Sequence, residues 1–331
     1  MSALENAASG GDFLSAGARH WVRFALRRTG QLLVSLWVLI TAAFAMIHLI
    51  PGDPVRSSLG LTASQELVET TRQNLGLNDP LPLQYWHFLQ GLVTGDLGMS
   101  ITSRLPVAEI VATRFAATAQ LALSAFALSV VVAVPIGVAV AVRTRQGRGR
   151  VLDLGFAGTS VVLGSIPDFL IGVILVWIFS VSLHLLPVGG RTGLSSYILP
   201  VLSLAVGPAA ILSRIVRVEM LSVLEADYVR TARAKRLSAT RIHLGHALPN
   251  AVTASLTLGG LMLSGMVAAT VLVETVFAWP GLGSTIVQAI LVKDYPLVQG
   301  VVLVYGCGVL LVNTLVDVAM TILDPRSAVI R

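Results

Sequence analysis

Six stretches of the chain are apolar for long enough to cross a bilayer as helices, which takes about 20 mostly apolar residues each. They run roughly over 30–50, 115–142, 154–183, 197–213, 251–273 and 297–323. The second carries no charge, the third is interrupted by Pro167 and Asp168, and the fourth is the shortest. Two connections are too long and polar to be simple turns. In the first, 51–114, Ser64 is placed to cap a helix running to Leu75, with Glu66 in its first turn and Gly76 as the stop signal. An apolar-aromatic stretch around Tyr85, Trp86 and Phe88 follows, then a turn at Gly95-Asp96-Leu97-Gly98. In the second, 219–250, Ser222 and Glu225 stand at capping-box spacing. Tyr228, Thr231, Ala232 and Lys235 recur at helical spacing, and Ser238 is placed to cap a further helix. These short helices are too charged to insert and are expected to lie against the membrane face.

Composition narrows the class. The chain is 55% hydrophobic and 12% charged, with mean hydropathy +0.81; a soluble domain carries about 25% charge. Too few charges remain to cover a water-facing surface, and disordered chains have the opposite balance. The pattern predicts an all-α polytopic membrane protein with six transmembrane helices. An external subdomain at 51–114 follows the first helix, and a core at 115–331 holds the other five.

Charge then orients it. Of the 23 Lys and Arg, 17 fall in one set of connections and termini and 6 in the other. The richer set marks the cytoplasmic side, so both termini are expected there. The net charge of +6 is explained by this asymmetry, and no nucleic-acid partner is expected. Residues 1–18, rich in Ala, Gly and Ser, read as a disordered cytoplasmic tail. Residues 19–29, with Trp and Phe among arginines, read as an interfacial helix. Ala43-Phe44-Ala45 has the form of a signal cleavage site, but the apolar run continues past it to Ile50, which argues for an uncleaved first span.

Chemistry-bearing residues are few. Cys307 is the sole cysteine, so neither an internal disulfide nor a cysteine metal site is expected. His243 and His246 are three apart in the polar cytoplasmic connection and read as a solvated pair; no metal site is predicted. Met262 and Met266 read as core packing. No G-x-x-x-x-G-K-[ST] or H-E-x-x-H motif occurs, so no enzyme activity is expected of the chain. Three acids fall within or beside spans: Asp168, Glu274 and Asp317. Ionisable groups in a membrane are costly and are functional candidates by default; structural pairing and a place on a substrate path both remain open for them. Trp279-Pro280-Gly281-Leu282-Gly283 cannot continue a span and predicts a turn or re-entrant hairpin at the external mouth.

The cytoplasmic connection resembles the EAA loop of ABC importer permeases, in the form used by the dipeptide, oligopeptide and nickel branch. The resemblance rests on Asp227-Tyr228-Val229-Arg230-Thr231-Ala232-Arg233-Ala234-Lys235-Arg236-Leu237 and on His246-Ala247-Leu248-Pro249. Further pieces are similar to the first permease of that branch in the same order: 50–54 (IPGDP), 75–82 (LGLNDPLP), 95–98 (GDLG), 165–169 (SIPDF), 273–283 (VETVFAWPGLG) and 324–326 (DPR). Two positions depart. Arg236 stands where the family has Gly, so it must use another turn or accept about 1 kcal/mol of left-handed strain. Pro249 replaces the branch's usual Arg.

The resemblance implies a membrane subunit of an importer in the bacterial cytoplasmic membrane. It implies as partners a second homologous permease, two ATPase subunits that bind ATP and Mg, an extracytoplasmic solute-binding protein, membrane lipid and a peptide substrate. The chain itself would hold no cofactor. Asp227, Tyr228, Arg230, Thr231, Ala232, Arg233, Lys235, Arg236 and Leu237 would form the ATPase-coupling element, with Tyr228, Thr231 and Ala232 facing the ATPase. Trp279, Pro280, Gly281 and Asp96 would lie at the external mouth or contact the binding protein. Nickel or glutathione-like solutes are alternative cargoes. An ion-driven secondary transporter is the alternative of another class; it predicts an internal repeat, and the chain shows none. An intramembrane hydrolase finds no supporting spacing.

Overall fold

The computed structural model describes residues 26–46, 48, 54–60, 63–74 and 76–323. The expected tail at 1–18, most of the interfacial helix at 19–29, the 50–54 motif up to Asp53 and the 324–326 motif lie outside the described residues. Among the described residues every regular element is helical, apart from one isolated β-bridge between Met99 and Pro106.

Helix α1 spans Leu26–Met46. It takes in Arg27 and Arg28, so these residues begin the first span rather than a separate interfacial helix. Three short helices follow: α2 (Pro54–Leu59), α3 (Gln65–Asn74) and α4 (Leu81–Thr94). Ser64 Oγ accepts from Leu67 N at 3.2 Å, the cap its position predicts. Pro80 precedes α4 and Pro82 sits in its first turn, where a missing N–H costs nothing. Helix α5 (Val107–Thr144) starts before the expected span and rises into the module at 51–114. The third apolar stretch is α6 (Arg150–Ser165) and α7 (Asp168–Leu175), the latter continued by a π-helical stretch, Val176–Ser182. The two halves meet at 95° across Ile166 and Pro167, because the proline ring denies the preceding residue helical geometry.

Helix α8 (Ser195–Glu225) is 31 residues long, well beyond the expected fourth span. Its C-terminal half carries Arg214, Arg217 and Glu219, which lower local hydropathy without stopping the helix. Helix α9 (Asp227–Ala234), a π-helical segment (Arg241–Ala247), α10 (Leu248–Val276), α11 (Leu282–Leu291) and α12 (Tyr295–Leu323) complete the chain. Among the described residues, five helices are long and apolar enough to cross a membrane, six if α6 and α7 form one bent span.

The central packing is α5 against α8. Gly137 permits it: a methyl group there would meet Ser213 O at 2.6 Å and the Val216 side chain at 2.8 Å. Small residues let membrane helices approach where no hydrophobic effect drives them together. One buried cluster joins Leu121 and Ala125 of α5 with Leu199 and Leu204 of α8 and Met266 and Val273 of α10. A second, at the arginine-rich end, joins Ala141, Met220, Leu224, Val229, Ala232 and Ile242. A third, at the opposite end, joins Val107, Val111, Leu282, Leu297 and Val301. Helix α1 lies at the periphery with Leu33, Val34 and Trp37 exposed. Arg28 pairs with Asp317 of α12 at 2.8 Å at one end; at the other, Phe44 packs on Tyr85 and Phe88 of α4.

Candidate functional site

At the arginine-rich end, α8 stops at Ala226, whose extended backbone (ψ 149°) turns the chain into α9. Asp227 in the first turn of α9 and Arg233 in the last complement the helix dipole. Thr231 Oγ1 donates to Asp227 O at 3.1 Å, and Arg230 reaches Asp227 at 3.5 Å. Arg236 N donates to Arg233 O at 2.8 Å and Leu237 N donates to Ala232 O at 3.3 Å. This pair of bonds is a Schellman closure. It places Arg236, at φ 55°, in the left-handed position that glycine otherwise fills, while Leu237 packs back into the cluster around Ala232. Of the two options open to Arg236, the chain keeps the turn and accepts the strain. Ser238 then starts the next segment, its Oγ accepting from Arg241 N at 3.4 Å.

Helix α9 is two-sided. Val229 is fully buried and Ala232 nearly so, both held against Met220, Leu224 and Ile242. Asp227, Tyr228, Arg230, Thr231, Lys235 and Arg236 are exposed, with Arg233 and Leu237 in between. The expectation that Ala232 faces outward with Tyr228 and Thr231 is therefore corrected: Ala232 lies beneath the helix, one turn on from Val229, and fixes α9 to the bundle. The outer face carries Tyr228, 46% exposed, and the exposed Arg230, with Lys235 and Arg236 exposed just past the helix end. Close by, burial first and then the Arg233 and Arg145 guanidiniums push the His243 imidazole below the usual histidine range. Arg145 Nε and Arg233 Nη2 are buried without a hydrogen-bond partner among the described residues.

At the opposite end, the turn after α10 is built around one carboxylate. Glu274 is fully buried. Its Oε1 accepts from Thr118 Oγ1 of α5 at 2.6 Å and its Oε2 from Ser284 N of α11 at 3.1 Å. Thr118 Oγ1 in turn accepts from Leu282 N at 2.8 Å. Gly281 lies flat against the carboxylate, where any Cβ would collide with it. Trp279 is fully buried, donates from its ring N–H to Ala117 O at 3.1 Å and meets Tyr197 edge to face at 4.6 Å. Trp279 and Gly281 thus lock the turn onto α5 rather than presenting themselves to a partner; Pro280 between them is partly exposed. Asp96 is exposed and accepts from Gly98 N at 2.8 Å within its own turn.

The other two acids separate. Asp317 is paired with Arg28. Asp168 begins α7 at the 95° break, half-buried, with its carbonyl accepting from Ser203 Oγ of α8 at 2.6 Å.

The family model described as "Binding-protein-dependent transport system inner membrane component" matches residues 133–329, and the model for its N-terminal part matches 21–122. The chain belongs to this family. Among its relatives are the glutathione transport system permease protein GsiC of Escherichia coli, 36% identical over 304 residues, and that of Pectobacterium atrosepticum, 37% identical over 305; each alignment covers 92% of this chain and 98% of the relative. The fold is similar to that of a chain in an inward-facing structure of the MetNI methionine ABC transporter, with TM-score 0.52 and 18% identity, covering 65% of this chain and 96% of that one. It is an ABC importer permease of the dipeptide, oligopeptide, nickel and glutathione branch, a multi-pass inner-membrane subunit of a larger transporter.

Two features of this permease escaped the sequence reading. Asp294, at the start of α12, is fully buried. It accepts from Ser100 Oγ at 2.5 Å, Thr102 N at 3.1 Å and Ile101 N at 3.2 Å, tying the 51–106 module to the bundle. Its signal was present: an acid one residue before Tyr295-Pro296 has the form of a helix N-cap ahead of a proline. The second is a cavity of about 270 Å³ among Phe44, His48, Gln84, Asp96, Tyr295 and Gln299, which no single stretch of sequence announces.

Proposed function

We propose that this permease supplies half of the translocation path for small peptides. In this reading it pairs with a second homologous permease, and two ATPase subunits that bind ATP and Mg dock at the arginine-rich end. The chain hydrolyses no ATP itself. Charge asymmetry supports placing that end, with both termini, in the cytoplasm. The opposite end then faces an extracytoplasmic solute-binding protein that delivers the cargo.

The observation that carries the coupling role is the construction of α9. A short helix is fixed to three other elements of the bundle through Val229 and Ala232, while Tyr228 and Arg230 stand clear on its outer face and Lys235 and Arg236 are exposed just beyond its end. Such an element transmits displacement instead of absorbing it, and an exposed aromatic among cations suits a partner groove with an acidic lining. Peptide cargo is supported by the branch, and the relatives named for glutathione, itself a tripeptide, favour the short end of the range.

The test is ATP-dependent uptake in proteoliposomes holding the co-expressed permeases and ATPases, supplied with the cognate binding protein. Labelled dipeptides, tripeptides, glutathione and nickel would be compared. Uptake of peptide or glutathione that needs ATP and binding protein supports the reading. Uptake of nickel alone, or ion-driven uptake without ATPases, overturns it.

A further inference from the structure

Asp168 is the acid whose partners inside the protein do not account for it. Glu274 is enclosed by donors and Asp317 has Arg28. The Asp168 side chain, by contrast, has no ion pair or hydrogen bond among the described residues, and its helix is entered from Pro167, which carries no polar side chain to cap it. The residue is half-buried, so part of it is open.

Its depth is set by its neighbour. One carboxylate oxygen lies over Gly207 of α8, 3.1 Å from where a Cβ of that residue would stand. Gly207 is 12 residues into the 31-residue α8, roughly 18 Å from its start at 1.5 Å per residue. The carboxylate is thus far from both ends of a spanning helix. An ionisable side chain at that depth does not face lipid; it faces the bundle interior or a water-filled cavity. The open side of Asp168 therefore faces the transporter interior rather than lipid.

The local build holds the group in place. Pro167 breaks the span, Asp168 opens the new helix with its carboxylate near the positive end of the α7 dipole, and Ser203 Oγ fixes its carbonyl at 2.6 Å. The absence of a side chain at Gly207 leaves room for the acid against α8. The result is a positioned carboxylate midway through the bundle, without a side-chain partner among the described residues.

We propose that Asp168 lines the translocation path and receives the ammonium group of the cargo. This deepens the peptide-import reading and rests on it: a peptide with a free amino terminus carries one positive charge that must leave water near the path, and a fixed carboxylate offsets part of that cost. Asp168 is then a specificity residue for the charged amine.

The experiment uses the complete transporter in proteoliposomes. Two labelled peptides, one with a free amino terminus and its N-acetyl counterpart, are chosen so that the isolated binding protein holds both. Asp168→Asn keeps the shape and removes the charge. The expected result is a tenfold or greater fall in uptake of the free-amine peptide by Asp168→Asn, unchanged uptake of the acetylated peptide, and partial recovery of the preference in Asp168→Glu. An equal fall for both peptides in a complex that still assembles would mean a structural role and overturn the assignment, as would no change for either. Failure of the wild-type complex to move either peptide overturns the import reading itself, and this assignment with it.

Discussion

Single residues at the two ends of the bundle show how much one side chain decides. Arg236 holds a left-handed backbone at φ 55°, a conformation that costs a residue with a Cβ about 1 kcal/mol. Arg236→Gly should raise stability by about that amount, read as a higher thermal midpoint of the purified complex, with no change in the α9 contacts. Glu274 lies at the other extreme. Glu274→Ala leaves the Thr118 hydroxyl and the Ser284 N–H buried without an acceptor, each costing about 1–3 kcal/mol. A loss of about 3 kcal/mol or more is expected, seen as a drop of many degrees in the melting of the detergent-purified protein. The acid was visible in the sequence as a candidate, but its role was not. A Glu just before an aromatic, Pro and Gly segment looks the same whether it faces a path or clasps a turn; Thr118, which decides, lies 156 positions away.

At the scale of elements, helix α9 separates folding from coupling. Tyr228 touches little of the bundle, so Tyr228→Ala should leave the melting temperature within the range of an ordinary surface change, about 0.5 kcal/mol. In the assembled transporter the same variant is expected to lose most transport while retaining basal ATP hydrolysis. Ala232→Glu should do the reverse first: a charge forced between Val229, Met220 and Leu224 lowers stability by several kcal/mol, about 3 or more, before any docking is tested. Comparing melting with transport in the two variants distinguishes them; equal stability would contradict the buried placement of Ala232. Helix existence was legible here from spacing, but not from the Ser222 and Glu225 capping pattern, which falls inside the end of α8 while α9 starts after Ala226 without a side-chain cap. Which face turns inward was not, because Ala and Tyr both suit either side of a short helix until α5, α8 and the segment after Ser238 are brought together.

For the molecule as a whole, the decisive joints are polar contacts between distant parts of the chain. Asp294 ties the turn at Ser100–Thr102 to the start of α12, across 192 to 194 positions. Asp294→Ala should loosen the whole 51–106 module from the bundle. Hydrogen exchange across 81–106 is expected to rise while exchange in α5 and α8 below the Gly137 contact stays unchanged; uniform protection would refute the clasp. Exchange of this kind reads local opening instead of global unfolding.

Taken alone, the sequence determined the class and most of the elements. Long uncharged runs have one stable solution in a bilayer, a hydrogen-bonded helix, so the spans could be read from hydropathy, and the Ser64 cap and the Arg236 anomaly from local chemistry. Its errors lay at boundaries, where α5 and α8 run past their apolar stretches. A helix that packs along its whole length tolerates Arg214 on an exposed face and pairs Arg217 with Asp153 of α6, and hydropathy averaged over a window does not see faces. Tertiary structure alone decided the partners: Glu274 with Thr118, Asp294 with Ser100, Asp317 with Arg28, and the burial of Ala232 and Trp279. The physical reason is that an acid in a membrane needs a donor, a cation or water, and which of these it meets depends on helices that approach each other only after the chain has folded.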